Sequence, residues 1–435
     1  MKWKSVGELA LLVCGLVGSC FAAEGQRSLV IRAGWLFDGL SGQLLRNQVI
    51  LIQGDRIVEV GPAERVTVPA GTEEIDLTKA TVLPGLIDGH AHVLRFPGLT
   101  GYETLLRDSL QYRTIIAVAN AKTDLEAGFT TLRDCQSVGA MYSDTDLRRG
   151  INEGWVPGPR LQVATLAIYG TSFLPPEKGF SPQAPIVGQY GRTVNSPWEG
   201  REAVRENLRY GADFIKLFPG GLGWHFEPDG KLWVQTTMTL EEDKAIVDEA
   251  HRQSVKAACH AWGNLPLRDS IEAGCDSIEL GIDLDPESVS KMVQKGTFLT
   301  IEFSRGRALE ASNLEATHGK YSILALQKAS FQRALKAGVK IGFGPNYGGP
   351  GRVAGAQARD LKYMVEYGMT PAQALRAATA VNAEMMGWQD RVGTIEKGKY
   401  ADVIAVTGNP LDDITELEHV KFVMKGGEIV RNDIH

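Results

Sequence analysis

The sequence predicts an α/β protein: a (β/α)8 TIM-like barrel joined to a small β-sandwich that both chain ends build together. Two patterns carry this expectation. The long middle of the chain alternates short apolar runs with helical segments, whereas the flanking stretches hold only short strands punctuated by glycine. A length of 435 residues accommodates one large barrel plus a smaller unit. With 43% apolar and 23% charged residues the composition excludes a disordered chain. The net charge of -6 offers no basic footprint for nucleic acid.

Residues 1–23 read as a secretory signal. Lys2 and Lys4 precede the apolar run Leu9 to Val17, followed by the small residues Gly18, Ser19, Cys20, Ala22 and Ala23. The run is too short to span a bilayer. Cleavage near Ala22 or Ala23 would release an exported protein, periplasmic or secreted. Val17-Gly18-Ser19-Cys20 also resembles a bacterial lipobox, in which a lipidated Cys20 would hold the protein at the membrane, and both readings stay open. The other cysteines of the mature chain, Cys135, Cys259 and Cys275, are too few and scattered for a disulfide framework and read as buried free thiols.

Residues 28–82 form the first part of the sandwich, with strands at Ser28 to Ala33, Gln48 to Gln53 and Arg56 to Val60. Residues 389–435 supply the second part, with strands at Asp402 to Val406 and Val420 to Lys425 and a hairpin turn at Lys425-Gly426-Gly427-Glu428. The barrel occupies residues 83–388. Its strand candidates are Val82 to Asp88, Thr130 to Asp134, Leu161 to Thr165, Phe214 to Phe218, Val255 to His260, Ser277 to Leu280, Thr297 to Phe303 and Val339 to Gly344. Among the helices, Thr239 and Glu242 have the spacing of a capping box. Two stretches, 169–198 and 219–238, lack periodicity and read as long loops over a binding site.

The chemistry-bearing residues sit at strand ends, where barrel enzymes place their sites. His90 and His92 alternate onto one face of a strand, which makes a two-imidazole clamp for a divalent metal. Lys216 and His260 end two later apolar runs.

The string Leu83-Pro-Gly-Leu-Ile-Asp-Gly-His-Ala-His92 resembles the amidohydrolase superfamily, and the resemblance extends through Val392 to Val406. Gly211 to Lys216, Asp276 to Glu279 and Gly368 to Leu375 are similar to its imidazolonepropionase-like branch, which includes Xaa-Pro and Xaa-Arg dipeptidases and ochratoxin-cleaving amidases. The resemblance implies a metal-dependent hydrolase of amide or peptide bonds, with one or two ions, zinc the expected one. His90, His92, His260 and a carboxylated Lys216 would be the ligands. It further implies a small-molecule or short-peptide substrate and a homo-oligomer.

Two positions depart from the family pattern. Leu280 stands where a second late histidine is expected, and Asn346 where an aspartate would ligate metal and accept a proton from water. An Asn carbonyl can touch a metal but cannot serve as a base. Glu302, at the end of the seventh strand, is the expected replacement in acid–base work. Glu279 is adjacent to Leu280 and expected on the opposite face. Trp262 is expected to narrow the pocket. Tyr347-Gly-Gly-Pro-Gly-Arg352 reads as a flexible loop. The alternative to an enzyme is a binding protein that keeps the barrel without turnover.

Overall fold

The computed structural model describes residues 27–96, 98, 101–173, 190–348 and 351–434. The expected signal, with Cys20, lies outside the described residues, as do much of the 169–198 loop and two residues of the loop after Tyr347.

The two chain ends meet in one seven-stranded sheet. Its N-terminal strands are Ser28–Phe37, Leu44–Gln53, Arg56–Pro62 and Glu73–Pro84. Glu73–Pro84 runs parallel to the first of these and antiparallel to Val403–Val406, so it joins the two halves. Leu29, Ile31 and Ile50 from one half share a buried core with Val403, Phe422 and Met424 from the other. Burial of alternate residues from both halves on one apolar face is the packing of a sandwich.

Glu73–Pro84 alternates exposed and buried residues until Ala80, then is buried on both faces as it approaches the barrel. The expected single strand Val82 to Asp88 is divided at Gly85. A Cβ there would lie 2.0 Å from Thr130 Oγ1, so only glycine fits this close crossing.

The barrel strands are β1 (Leu86–Ala91), β2 (Phe129–Asp134), β3 (Arg160–Val163), β4 (Ile215–Leu217), β5 (Ala257–Ala261), β6 (Ser277–Leu280), β7 (Phe298–Thr300) and β8 (Ile341–Gly342). Parallel pairing links β1 to β3 and β4 to β8. Two backbone bonds bridge the gaps: Asp213 N–H donates to Val163 O (2.8 Å), and Gly89 N–H donates to Phe343 O (2.9 Å) to bring β8 back to β1. Leu132, Leu161, Ile215, Cys259, Ile278 and Leu299 belong to the core that the strands share with their covering helices.

Two expectations are corrected. The 219–238 loop is an antiparallel hairpin, Gly220–Phe226 with Leu232–Thr236. Its turn uses Gly230 at φ +85°, a conformation glycine adopts without penalty. Cys259 and Cys275 are not free thiols but a disulfide spanning 16 residues, with Cα atoms 6.1 Å apart. Helix Asn264–Ala273 ends at Gly274 in a left-handed conformation, and that turn delivers Cys275 to the outward-facing side of β5. Cys135 is the free, buried cysteine among the described residues.

Candidate metal centre

His90, His92, Lys216 and His260 come from β1, the residue beyond it, β4 and β5, and all four are buried. The His90 and His92 rings lie 5.2 Å apart, and the Phe218 ring packs against both His260 (4.6 Å) and the Lys216 amine (5.1 Å). The same strand-end positions that the motifs pick out are therefore brought to one place.

The hydrogen bonds set the histidines' chemistry. His90 Nδ1–H donates to Glu279 Oε2 at 2.8 Å, and His92 Nδ1–H donates to the Gln136 carbonyl at 3.3 Å. Each bond fixes the tautomer that leaves a lone pair on Nε2. Burial, helped by the Lys216 charge, lowers the His90 pKa. Burial, then Arg95, holds His92 well below the usual imidazole range, and burial does the same for His260. Three neutral imidazoles are what a divalent cation requires.

Two atoms in this cluster are orphaned. His260 Nε2 and Lys216 Nζ are buried without a hydrogen-bond partner. An unpaired polar atom in such a place costs several kcal/mol, about 2–7 by transfer measurements. A metal ion would engage the imidazole, and carboxylation would convert the lysine amine into an anionic ligand, so the residues present fit the group. Burial lowers the Lys216 pKa, which favours the neutral amine.

Glu279 corrects the sequence reading. It faces His90 rather than turning away, because β5 and β6 pair His260 with Glu279 and Ala261 with Leu280. Leu280 leaves the strand at φ +93° and packs with Trp262, Ile282, Leu232 and Val234. The missing histidine position is thus filled by an apolar wall under the hairpin, where Trp224 also meets Trp262 (5.4 Å).

The Glu279 carboxylate accepts from His90, from Arg133 Nη1 (2.9 Å), from Ser277 (2.6 Å) and from Thr300. Burial alone would raise its pKa, but Arg133 and His90 hold it well below the usual carboxylate range. Cys135 comes close to His90 and Glu279, and these three could in principle form a ligand set. Glu279 is saturated by donors, however, and burial pushes the Cys135 thiol up to about 12. An ion bound here would therefore sit on the Nε2 side of the histidines.

Asn346 is committed elsewhere. Its Oδ1 accepts from Arg95 Nη1 (3.0 Å) and its Nδ2 donates to Glu302 Oε1 (2.6 Å), so its carbonyl is not free to ligate metal. Glu302 is fully buried, and its other oxygen, Oε2, has no hydrogen-bond partner. Arg305 stands 3.6 Å from that oxygen.

Sequence reasoning turned Glu279 away from the site and missed Arg133 and Arg95. A signal for Arg133 was present: an arginine inside the apolar strand run Phe129 to Asp134 must have a buried anion. Nothing local pointed to Arg95.

An α/β barrel with a sandwich of this topology and ligand-competent side chains at its strand ends defines a class of hydrolytic enzymes. The chain belongs to the amidohydrolase family, whose pattern matches residues 81–430. It is 31% identical over 440 residues to ochratoxinase of Aspergillus niger, covering 92% of this chain and 86% of that one. Imidazolonepropionase of Geobacillus kaustophilus (strain HTA426) is 25% identical, covering 90% and 91%. Among solved structures, a Xaa-Pro dipeptidase with methionine bound in its active site superposes with a TM-score of 0.80 at 30% identity, over 93% of this chain and 100% of that one. These relatives fit the branch that the motifs indicate.

Proposed function

We propose that the protein is a metal-dependent hydrolase of amide or peptide carbon–nitrogen bonds, of dipeptidase or N-acyl-amino-acid amidase type. The observation that carries this reading is the cluster of three neutral histidines and one buried, unpartnered lysine amine at the strand ends. His90, His92, His260 and a carboxylated Lys216 would hold the ion, zinc being the expected one. When bound, such an ion polarises the substrate carbonyl and lowers the pKa of water.

The chain's own residues do the rest. Glu279 orients the His90 ring through Nδ1 and is itself held by Arg133, Ser277 and Thr300. Glu302 Oε2 receives the proton of the attacking water and delivers it to the departing amine nitrogen. Asn346 positions that carboxylate through Oε1 and leaves Oε2 free. The apolar wall of Leu280 and Trp262 restricts water on the adjacent side.

In this reading the protein is also exported. The charged, apolar and small-residue succession of residues 1–23 supports it, as does the Cys259–Cys275 disulfide, since such bonds persist in oxidising compartments.

Leu280 and Asn346 favour a second reading, a binding protein of the same fold without turnover. Metal analysis together with a screen of dipeptides and N-acyl amino acids separates the two. Stoichiometric zinc with saturable hydrolysis supports the enzyme. Metal-free protein that binds these compounds without cleaving them overturns it.

A further inference from the structure

Three arginines from three separate segments meet around Asn346 and Glu302. Arg95, in the segment after β1, donates to Asn346 Oδ1, and Arg352, in the segment after β8, donates to the Asn346 backbone carbonyl at 2.7 Å. Arg305, in the first turn of helix Phe303–Ala316, is the third, 3.6 Å from Glu302 Oε2. Glu302 is the carboxylate that Arg305 meets and that Asn346 holds. Asp360, nearby, is taken up by the Ser304 hydroxyl and amide.

The residue at 346 decides the balance. An aspartate there would give Arg95 a full negative partner, whereas Asn346 offers only an amide dipole. Position 346 therefore leaves a surplus of positive charge beside Glu302. Arg95 Nε is buried without a hydrogen-bond partner, and uncompensated cations in such surroundings are costly. Arg305 is a quarter exposed, and its contact with Glu302 is beyond hydrogen-bond length. It has donors to spare for a ligand. A guanidinium matches a carboxylate as a planar two-pronged fork, which a lone point charge does not.

We propose that Arg305, backed by the charges of Arg95 and Arg352, binds the free carboxylate of the substrate's amino-acid half. The hydrolysis of that substrate rests on the function proposed above; the binding does not. In an N-acyl amino acid or a dipeptide, one carbon separates the carboxylate from the scissile nitrogen. The arginine that holds the carboxylate must then lie next to the group that handles the proton, and Arg305 lies next to Glu302. Compounds whose amine half lacks a carboxylate forgo this contact.

Calorimetric titration of the full protein with N-acetyl-L-phenylalanine and with N-acetyl-L-phenylalanine amide tests the proposal whether or not either is cleaved. The wild type should bind the carboxylate at least about ten-fold more tightly than the amide. That preference should disappear in Arg305→Met and return in part in Arg305→Lys, with circular dichroism unchanged in both. Equal binding of the two compounds by the wild type, undetectable binding included, overturns the proposal. So does a preference that survives Arg305→Met, because the carboxylate would then be held by a metal ion or another residue. A clear preference in a protein that hydrolyses nothing would uphold this site and reject the hydrolase reading.

Discussion

Asn346 donates its side-chain N–H to Glu302 Oε1 across 2.6 Å while its own carbonyl accepts from Arg95, so position 346 orients the carboxylate that we propose as the base. Glu302→Gln keeps the size of the side chain but removes the proton acceptor. It should lower kcat about 100- to 10,000-fold with metal content unchanged. Turnover at the wild-type rate would remove Glu302 from the chemistry.

Glu279 holds the His90 ring from behind. Such outer partners of metal-binding histidines typically account for about 10- to 100-fold in metal affinity. Glu279→Gln should weaken retention of zinc by that order, measured by competition with a chelator. Arg133 would lose its anion in this variant, so a lower thermal midpoint is expected as well. Unaltered zinc affinity would mean that His90 does not ligate through Nε2.

The Cys259–Cys275 bond closes a loop of 16 residues. A loop of that length restricts the unfolded chain by about 3 kcal/mol. Cys275→Ser should lose roughly that much in denaturant unfolding, by the same relation. A reducing agent should bring the wild type down toward the variant and leave the variant where it is. A wild type indifferent to reductant would show that the thiols are free.

His251 Nε2 lies 2.8 Å from Asp276 Oδ2, and this hydrogen bond raises the His251 pKa. At Asp276 burial works upward, but the bonds from His251 and from the Ala257 amide outweigh it and lower its pKa. The sign follows from linkage. The histidine's share is complete below about pH 6.5 and fades as pH rises through its raised value, and the aspartate's is present above about pH 4 and fades below it. The advantage of the wild type over His251→Gln should therefore be larger near pH 5.5 than near pH 8.5. The ring is nearly half exposed, so the difference should stay within about 1 kcal/mol. A larger difference at the alkaline end would contradict the pairing.

Much of this molecule was legible along the chain. The eight apolar runs correspond to the eight barrel strands because each is a short, mostly apolar stretch set between helical segments, a pattern visible locally. The capping box at Thr239 and Glu242 is present as read, since both halves of that motif lie within one helical turn. His90 and His92 share a face for the same local reason.

What local pattern could not supply was partnership between distant residues. The pairing of Cys259 with Cys275 depends on where a helix of 10 residues returns the chain. The hairpin at 220–236 was hidden by its glycines, whose freedom reads as loop until a partner strand is seen. Counting faces from Leu280 put Glu279 on the wrong side, because the strand ends in a positive φ at Leu280 and the register with β5 sets the true face. The sequence by itself marks the strand ends through short-range periodicity, and its motifs point to the family and to His90, His92, Lys216 and His260 as ligand-type side chains, because both signals lie within a few consecutive residues. Which carboxylate meets His90, which amide holds Glu302 and which arginines crowd Asn346 depend on contacts across 189, 44 and 251 residues, and only the closed barrel brings those atoms together.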